Sequence, residues 1–430
     1  MLANARVERP AAGVSSARTA EKVVMAGRAP ARTAARAVRT NKREFPVPEV
    51  AWATRHQSAK IEFACSIETR EGELMNEITT VGVDLAKEVI VVCAGDTQGR
   101  TRYFKQLSFQ AFGAWAMKLP PCTFGMEACS TAHHWARFLS RHGHTAKLMA
   151  PEFVAPFRKS QGARNDRNDA QAILAAVRQP DMRFVSVKSV DQQAMLAWHR
   201  TRSGFTVERT ALLNRTRGLL AEFGIWIGRS TAVLIHQLPE LVRDQRLPEV
   251  FRPILTGTLE HVRRLEQCIA ECDAQIHMHI MHSEEAKRIQ ALTGVGELTA
   301  SALLATVASP RDFKNGRQMA AWTGLVPRQN SSGGKQRLGV ITKRGDSYLR
   351  GLLTQGARST LQVALKREPL RRSRLQQWIV ALHGRVGYHK TLVAIANKHV
   401  RILWAILVHG ESYDPNAWRR HAPQRSPAAA

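Results

Sequence analysis

The sequence predicts a mixed α/β sheet domain, then a long helical hairpin, then a mostly helical C-terminal domain. Three observations carry this reading. Residues 78–108 hold three strand-like runs, ITTVGVD, EVIVVCAGD and TRYFKQLSF, separated by short turns. From 122 onward strands alternate with helices: CTFGMEA (122–128) runs into STAHHWARFLSRHG, and HTAKLMAP precedes RNDRNDAQAILAAVRQ. Residues 190–223 and 257–289 are long, helix-patterned and poor in breakers, as in a helical hairpin or antiparallel coiled coil, with Pro239, Pro248 and Pro253 punctuating the connection.

Composition narrows the function classes. The 430 residues suffice for two or three domains. Lys plus Arg number 63 against 35 Asp plus Glu, a net charge of +28. That excess calls for a polyanionic partner, with nucleic acid the default and a membrane surface the weaker alternative. No apolar run approaches the roughly 18 residues of a spanning helix. ILWAILV (402–408) follows Arg401 and reads as a buried helix. The six cysteines (65, 93, 122, 129, 268, 272) are too scattered for a disulfide framework, so a reducing cytoplasm is the simplest compartment. Cys268 and Cys272 share a helix face without a second pair, which argues against zinc. Aromatic residues make up 6%, so stacking on single-stranded bases is not the expected dominant binding mode.

The chain divides as follows. Residues 1–74 are rich in Ala and Arg and lack a hydrophobic period, like a basic disordered leader. Met75 opens MNEITTVGVDLAK and is the expected natural start. Residues 75–185 form the sheet domain, 186–288 the coiled-coil region, 289–412 the C-terminal domain and 413–430 a frayed tail.

The candidate chemistry begins with carboxylates. Asp84 ends the first strand and Glu127 ends the fourth; open α/β sheets build sites at converging strand ends. Asp166 and Asp169, at i and i+3, share a helix face. Singly, each has an ordinary explanation: a strand-end turn, a helix cap, a solvated face. Together, in the order strand, strand, helix, helix within a basic chain, they supply hard oxygen ligands suited to Mg²⁺. Two such ions can activate an attacking oxygen and stabilise a leaving one. Without a cation, converging carboxylates would repel. Position 86 is Ala, not the Glu of a proofreading exonuclease, and Glu127 follows far downstream, which suits a RuvC-like (RNase H-like) fold. Arg164 and Arg167 flank the aspartates and are placed to steer phosphate.

The C-terminal domain holds a second constellation. NSSGGKQR contains Gly333 and Gly334, whose backbone can approach phosphate closely, with Lys335, Arg337, Lys343 and Arg344 adding charge. The Gly-x-x-x-x-Gly-Lys of a P-loop is absent. Either the loop contacts phosphate, or Ser331 or Ser332 is a nucleophile activated from elsewhere. LTGVGELTA resembles a helix-hairpin-helix whose turn, with Gly294 and Gly296, either grips DNA backbone or simply joins packed helices. His133 and His134 lack metal-ligand spacing and read as helix-surface or phosphate-contacting residues.

GVDLAKEVI, MEACSTAHHWAR, RNDRNDAQAI, LTGVGELTA and AAWTGLVPRQNSSGGKQRLGVITKRGDSYLR, in this order over roughly 75–410, closely resemble the IS110 family of insertion-sequence transposases, IS1111 subgroup. The resemblance implies a RuvC-like domain with Asp84, Glu127, Asp166 and Asp169 as Mg²⁺ ligands, and a C-terminal transposase domain bearing a catalytic serine. That serine falls on Ser332 counting from Pro327 and on Ser331 counting back from Lys343. Arg328 and Arg350 join the expected nucleic-acid-binding set. The resemblance further implies dimers pairing into tetramers on donor and target DNA, a composite site from two subunits, a covalent phosphoserine link, and a structured noncoding guide RNA, the bridge RNA, that chooses sites by base pairing. The family usually carries Gly where this chain has Ser130. The alternatives are a RuvC-like structure-selective endonuclease using water, and a non-catalytic nucleic-acid-binding protein.

Overall fold

In the computed structural model, residues 75–86, 88–158 and 165–415 are described. The leader 1–74, Arg164 and most of the tail lie outside them. β1 (Thr80–Leu85) pairs antiparallel with β2 (Val89–Gly95), and β3 (Thr101–Ser108) extends the meander. β4 (Thr123–Glu127) lies parallel on the other side of β1, β5 (Thr145–Met149) parallel to β4, and β6 (Phe184–Val185) antiparallel at the edge. The order β3-β2-β1-β4-β5-β6 is the expected mixed sheet of a RuvC-like domain.

Side-chain alternation divides the sheet into two faces. Val81 and Val83 of β1 are fully buried against one helical layer. That layer contains α1 (Phe109–Ala116), capped by the Ser108 hydroxyl, and α2 (Ala132–Arg141). Phe112, Trp115, Phe124 and Trp135 pack there largely edge to face. The short α3 (Pro151–Val154) follows β5. On the opposite face, Val91 and Cys93 of β2 meet Ala170 and Leu174 of α4 (Asp166–Val177).

The approach of α4 to this face depends on two glycines. Gly82 on β1 and Gly125 on β4 are register partners. A Cβ on Gly82 would stand 2.5 Å from Leu174 N, and one on Gly125 would stand 2.7 Å from Val177 Cβ. Both are closer than non-bonded contacts allow, so the glycines make room for the helix backbone over Gly82 and for the Val177 side chain over Gly125. Its ends are held as well. Asn165 caps the N-terminus by accepting from Asn168 N at 2.8 Å, while Arg178 donates to the carbonyls of Asp96 and Thr97 beyond the C-terminus.

The helical hairpin consists of α5 (Val190–Glu222), opened by a Ser189–Gln192 capping box, and α7 (Arg252–Met281), with α6 (Thr231–Leu241) between them. α7 starts earlier than expected because Pro253 occupies its first turn, where a missing N–H costs no helical bond. It ends before 289, and Ser283 caps a separate α8 (Glu284–Gln290). Leu213, Leu220, Leu255 and Val262 form the buried seam. Arg202–Asp273 and Arg209–Glu266 pair across it.

The C-terminal region comprises α9 (Glu297–Thr306), α10 (Gly316–Trp322), a hairpin of β7 (Pro327–Gln329) and β8 (Leu338–Ile341), α11 (Ser347–Lys366), α12 (Arg374–Val386) and α13 (Tyr388–His409). The glycine-rich segment is thus a β-hairpin, not a plain loop. Among the described helices α13 is long and apolar enough to cross a membrane by length and composition, which corrects the expectation that no apolar run comes near that length. The interrupting charges, Lys398 and Arg401, are too few to exclude it. In the fold Ile395, Ala396, Val400 and Leu403 of α13 are fully buried in the helical core. The cysteines among the described residues are all free.

Among the described residues four histidines are buried; desolvation pushes His133, His199 and His399 down to about 4 and lowers His144 as well. His133 therefore corrects the helix-surface expectation: its Nδ1 accepts from Lys188 N at 3.2 Å, while the neighbouring His134 is exposed. His199 joins three elements, with ring nitrogens 3.0 Å from Tyr348 Oη on α11 and Ser301 Oγ on α9.

Two outcomes follow from this packing. Gly82→Ala forces α4 off the sheet and costs about 3 kcal/mol, the upper end of ordinary overpacking, readable by urea unfolding. A variant as stable as wild type would disprove this role of Gly82. Because the buried histidines are neutral in the native state and protonate more readily when unfolded, their contribution is intact above about pH 6.5 and is lost as pH falls toward 4. His399→Leu removes one such proton uptake, so its melting temperature declines less over that interval than that of wild type.

Candidate active site

The β1–β4 register ends at Val83 opposite Met126, so Asp84 and Glu127 come next on neighbouring parallel strands. Alternation sets Asp84 on the face of Gly82 and Glu127 on the face of Gly125. Both therefore project from the face that α4 covers. Asp166 and Asp169 occupy the first turn of α4, where the helix dipole favours negative charge. Local helix chemistry thus supports these aspartates even without a catalytic role. The fold brings all four carboxylates together.

Their electrostatics show the strain of that convergence. Burial, then the charges of Asp169, Asp166 and Glu127, push the Asp84 carboxyl up to about 6, and Arg158 opposes the rise. Arg158 lies just after the 3₁₀ turn Ala155–Phe157 that follows α3. Its Nε is 2.7 Å from Asp169 Oδ1, and its Nη2 donates to Glu127 Oε1 at 3.4 Å. The contact to Asp169 is ionic and poorly aligned, leaving both Arg158 Nε and Asp169 Oδ1 buried without a proper hydrogen bond.

Asp84, Glu127, Asp166 and Asp169 fit a hard divalent cation in donor chemistry and charge. Asp169 Oδ1 is a buried acceptor lacking a directed donor, and Asp84 is held by its neighbours in a state that added positive charge would relieve. Among the described residues, no three His, Cys, Asp or Glu side chains are drawn tightly enough to grip a metal as they stand. The guanidinium of Arg158 lies between Glu127 and Asp169.

The remaining expected residues are distributed differently. Arg167 stacks over the Phe104 ring at 4.2 Å, so its cation packs against β3. Ser331 and Ser332 are exposed at the tip of the β7–β8 hairpin. Ser331 Oγ accepts from Arg337 N at 3.2 Å, and Lys335 N donates to Ser332 O at 3.0 Å. Gly333 and Gly334 take φ of 55° and 75°, the paired positive angles of a tight two-residue hairpin turn. Neither serine hydroxyl bonds to Asp84, Asp166 or Asp169 within one chain. Arg328, Lys335, Arg337 and Lys343 are exposed around the hairpin, and Arg344 reaches Glu152 at 3.4 Å. Arg350 is half-buried, donating to the carbonyls of Thr323 and Arg344, which fixes the hairpin base.

The Gly294 turn serves packing: a Cβ there would collide with the Gly356 backbone of α11. Gly296 is open and precedes α9, but Glu297 stands in the first turn, hydrogen-bonded to His277 at 3.0 Å. A carboxylate at that position opposes phosphate binding.

The sequence reading missed Gly82, Gly125 and Arg158. The glycines carried a signal, since Gly-x-Asp at 82–84 and Gly-x-Glu at 125–127 repeat one pattern on two strands. Arg158 carried none, being one arginine in a chain full of them.

Above pH 6 in the metal-free protein, Asp84 is ionised in the native state against burial and repulsion that the unfolded chain lacks. Asp84→Asn therefore raises the melting temperature by a few degrees in chelator at pH 7.5, and the gain fades as pH falls through 6 toward 4. An unchanged or lowered melting temperature at pH 7.5 would mean that the carboxylates do not converge.

Comparison with known proteins identifies the family. A transposase model of the DEDD type in IS110 matches residues 81–225, and a model described as transposase IS116/IS110/IS902 family matches 286–372. A probable family 20 transposase of Pseudomonas aeruginosa is 40% identical, covering 79% of this chain and 99% of its own length. The transposase for insertion sequence element IS1328 of Yersinia enterocolitica is 37% identical, covering 78% and 98%. The transposase for insertion sequence element IS1111A of Coxiella burnetii is 35% identical, covering 81% and 94%. With relatives matched over nearly their whole length and both family models matched, the chain belongs to the IS116/IS110/IS902 family of insertion-sequence transposases.

Proposed function

We propose that this transposase cuts and rejoins DNA strands through a serine nucleophile on the β7–β8 hairpin and a Mg²⁺ site made of Asp84, Glu127, Asp166 and Asp169. The observation that carries the reading is the convergence of four carboxylates at the strand ends and the first turn of α4, where burial and the charges of Asp169, Asp166 and Glu127 raise Asp84 to about 6. A divalent metal, when bound, supplies Lewis acidity and charge neutralisation at a phosphodiester. The chain's own residues do the rest. The four carboxylates bind and orient, and the exposed arginines and lysines of the hairpin hold DNA phosphates.

The hydroxyl of Ser331 or Ser332 attacks phosphorus. An Oγ–P bond forms, the P–O bond to the departing strand breaks, and the departing oxygen gains the proton that serine loses. The hydroxyl of an incoming strand then attacks the phosphoserine, forming the new phosphodiester and restoring the serine. A site assembled from two subunits of a dimer or tetramer accommodates the serines, which lie on a hairpin separate from the sheet domain. Pairing of a structured noncoding RNA with donor and target DNA supplies the sequence choice, in keeping with a strongly basic chain that holds backbone.

The test is a reaction on element-end DNA with the element's own RNA and Mg²⁺, resolved under denaturing conditions. A DNA-linked protein band is expected from wild type. It is lost in Asp84→Asn and in one of Ser331→Ala and Ser332→Ala, each loss exceeding about a hundredfold in rate. Strand breaks that persist with both serines replaced would instead establish water as the nucleophile.

A further inference from the structure

The guanidinium of Arg158 lies between two of the four carboxylates, ion-paired with Asp169 at 2.7 Å and Glu127 at 3.4 Å, and acts on the charge of Asp84. Its side chain is 21% exposed, close to the 23% of Glu127 and the 20% of Asp169. It thus sits as deep as the carboxylates it joins. The two carboxylates come from different elements, the end of β4 and the first turn of α4, so one cation ties sheet to helix at the site.

The tie is loose in one respect. Arg158 Nε and Asp169 Oδ1 are close but misaligned, and neither makes a directed hydrogen bond. A guanidinium built to stay would present a parallel fork to one carboxylate. Arg158 instead spans two carboxylates with single contacts, a weaker arrangement that exchange can undo.

We propose that Arg158 is a resident cation that holds Glu127 and Asp169 together in the metal-free protein, yields them when a divalent ion binds, and is then available to a DNA phosphate at the same site. This rests on the carboxylate cluster being a metal site, as argued above. Two cations cannot share these carboxylates without strong mutual repulsion, so metal entry and Arg158 pairing compete. Once released, Arg158 has the planar, permanently charged group suited to phosphate. Metal and DNA then favour each other's binding partly through this one side chain, and the coupling is reciprocal.

The test uses the full chain with Mn²⁺ alone, followed by calorimetry, for wild type, Arg158→Gln, Arg158→Lys and Asp84→Asn. Arg158→Gln is expected to bind Mn²⁺ on the order of tenfold more tightly than wild type, Arg158→Lys falls between them, and Asp84→Asn binds much more weakly. A merely structural bracket predicts the opposite, because loosening the site weakens metal binding. Equal or weaker Mn²⁺ binding by Arg158→Gln, with Asp84→Asn still impaired, overturns the resident-cation role and leaves the metal site standing. Mn²⁺ binding that ignores Asp84→Asn, or is absent from wild type and Arg158→Gln alike, overturns both.

A second measurement reads the released state. Affinity for a double-stranded oligonucleotide is compared in chelator and in Ca²⁺. Wild type gains affinity with Ca²⁺, and Arg158→Gln gains several-fold less. An undiminished gain in Arg158→Gln overturns the role at phosphate.

Discussion

The closeness of α4 to the sheet is the constraint on which the site depends. It exists because Gly82 and Gly125 lie side by side on β1 and β4, leaving room for the α4 backbone at Leu174 and for the Val177 side chain. The same pleat that turns those glycines toward α4 turns Asp84 and Glu127 toward it two residues later. One geometric fact therefore sets both the packing distance and the convergence of the acids. Asn165 and Arg178 then hold the helix at its two ends, so that Asp166 and Asp169 meet the strand ends.

Such a cluster works against the stability of the metal-free protein. Asp84, Glu127 and Asp169 are half-buried, with Asp166 exposed beside them, and the Asp84 carboxyl is raised by burial and by its neighbours' charges. The fold offsets part of it from two sources: the positive end of α4, which favours Asp166 and Asp169, and the guanidinium of Arg158. The metal-free molecule is thereby both tolerable and poised, since a hard divalent cation would relieve what these two leave uncompensated.

The C-terminal region shows a different economy. Its turn at Gly294 is occupied in packing against Gly356, and two side chains of the helical hairpin bond to it across elements. His199 bonds to Tyr348 and Ser301, and Gln192 Nε2 donates to the carbonyls of Leu304 and Val307. These bonds tie the start of the helical hairpin to α9 and α11, so the serine-bearing hairpin hangs from a rigid base. Its tip, with Ser331 and Ser332, stays exposed where DNA can reach it.

The sequence by itself determined the strand and helix order, the acidic quartet and the basic surround, because β-branched runs, helical periodicity and net charge are local or summed properties. The hairpin helices were legible for the same reason, though their ends were not: Pro253 reads as a breaker in isolation and is a first-turn residue in context. Only the tertiary structure decided that Arg167 rests on Phe104, that Gly294 packs against Gly356, that α13 is a core helix, and that Arg158 stands between Glu127 and Asp169. Those outcomes depend on which distant surfaces meet, and residues far apart in the chain leave no spacing to read. The arginine beside the acids is the clearest case. Its identity is plain at position 158, but its role comes from a sheet end and a helix that the fold alone brings to it.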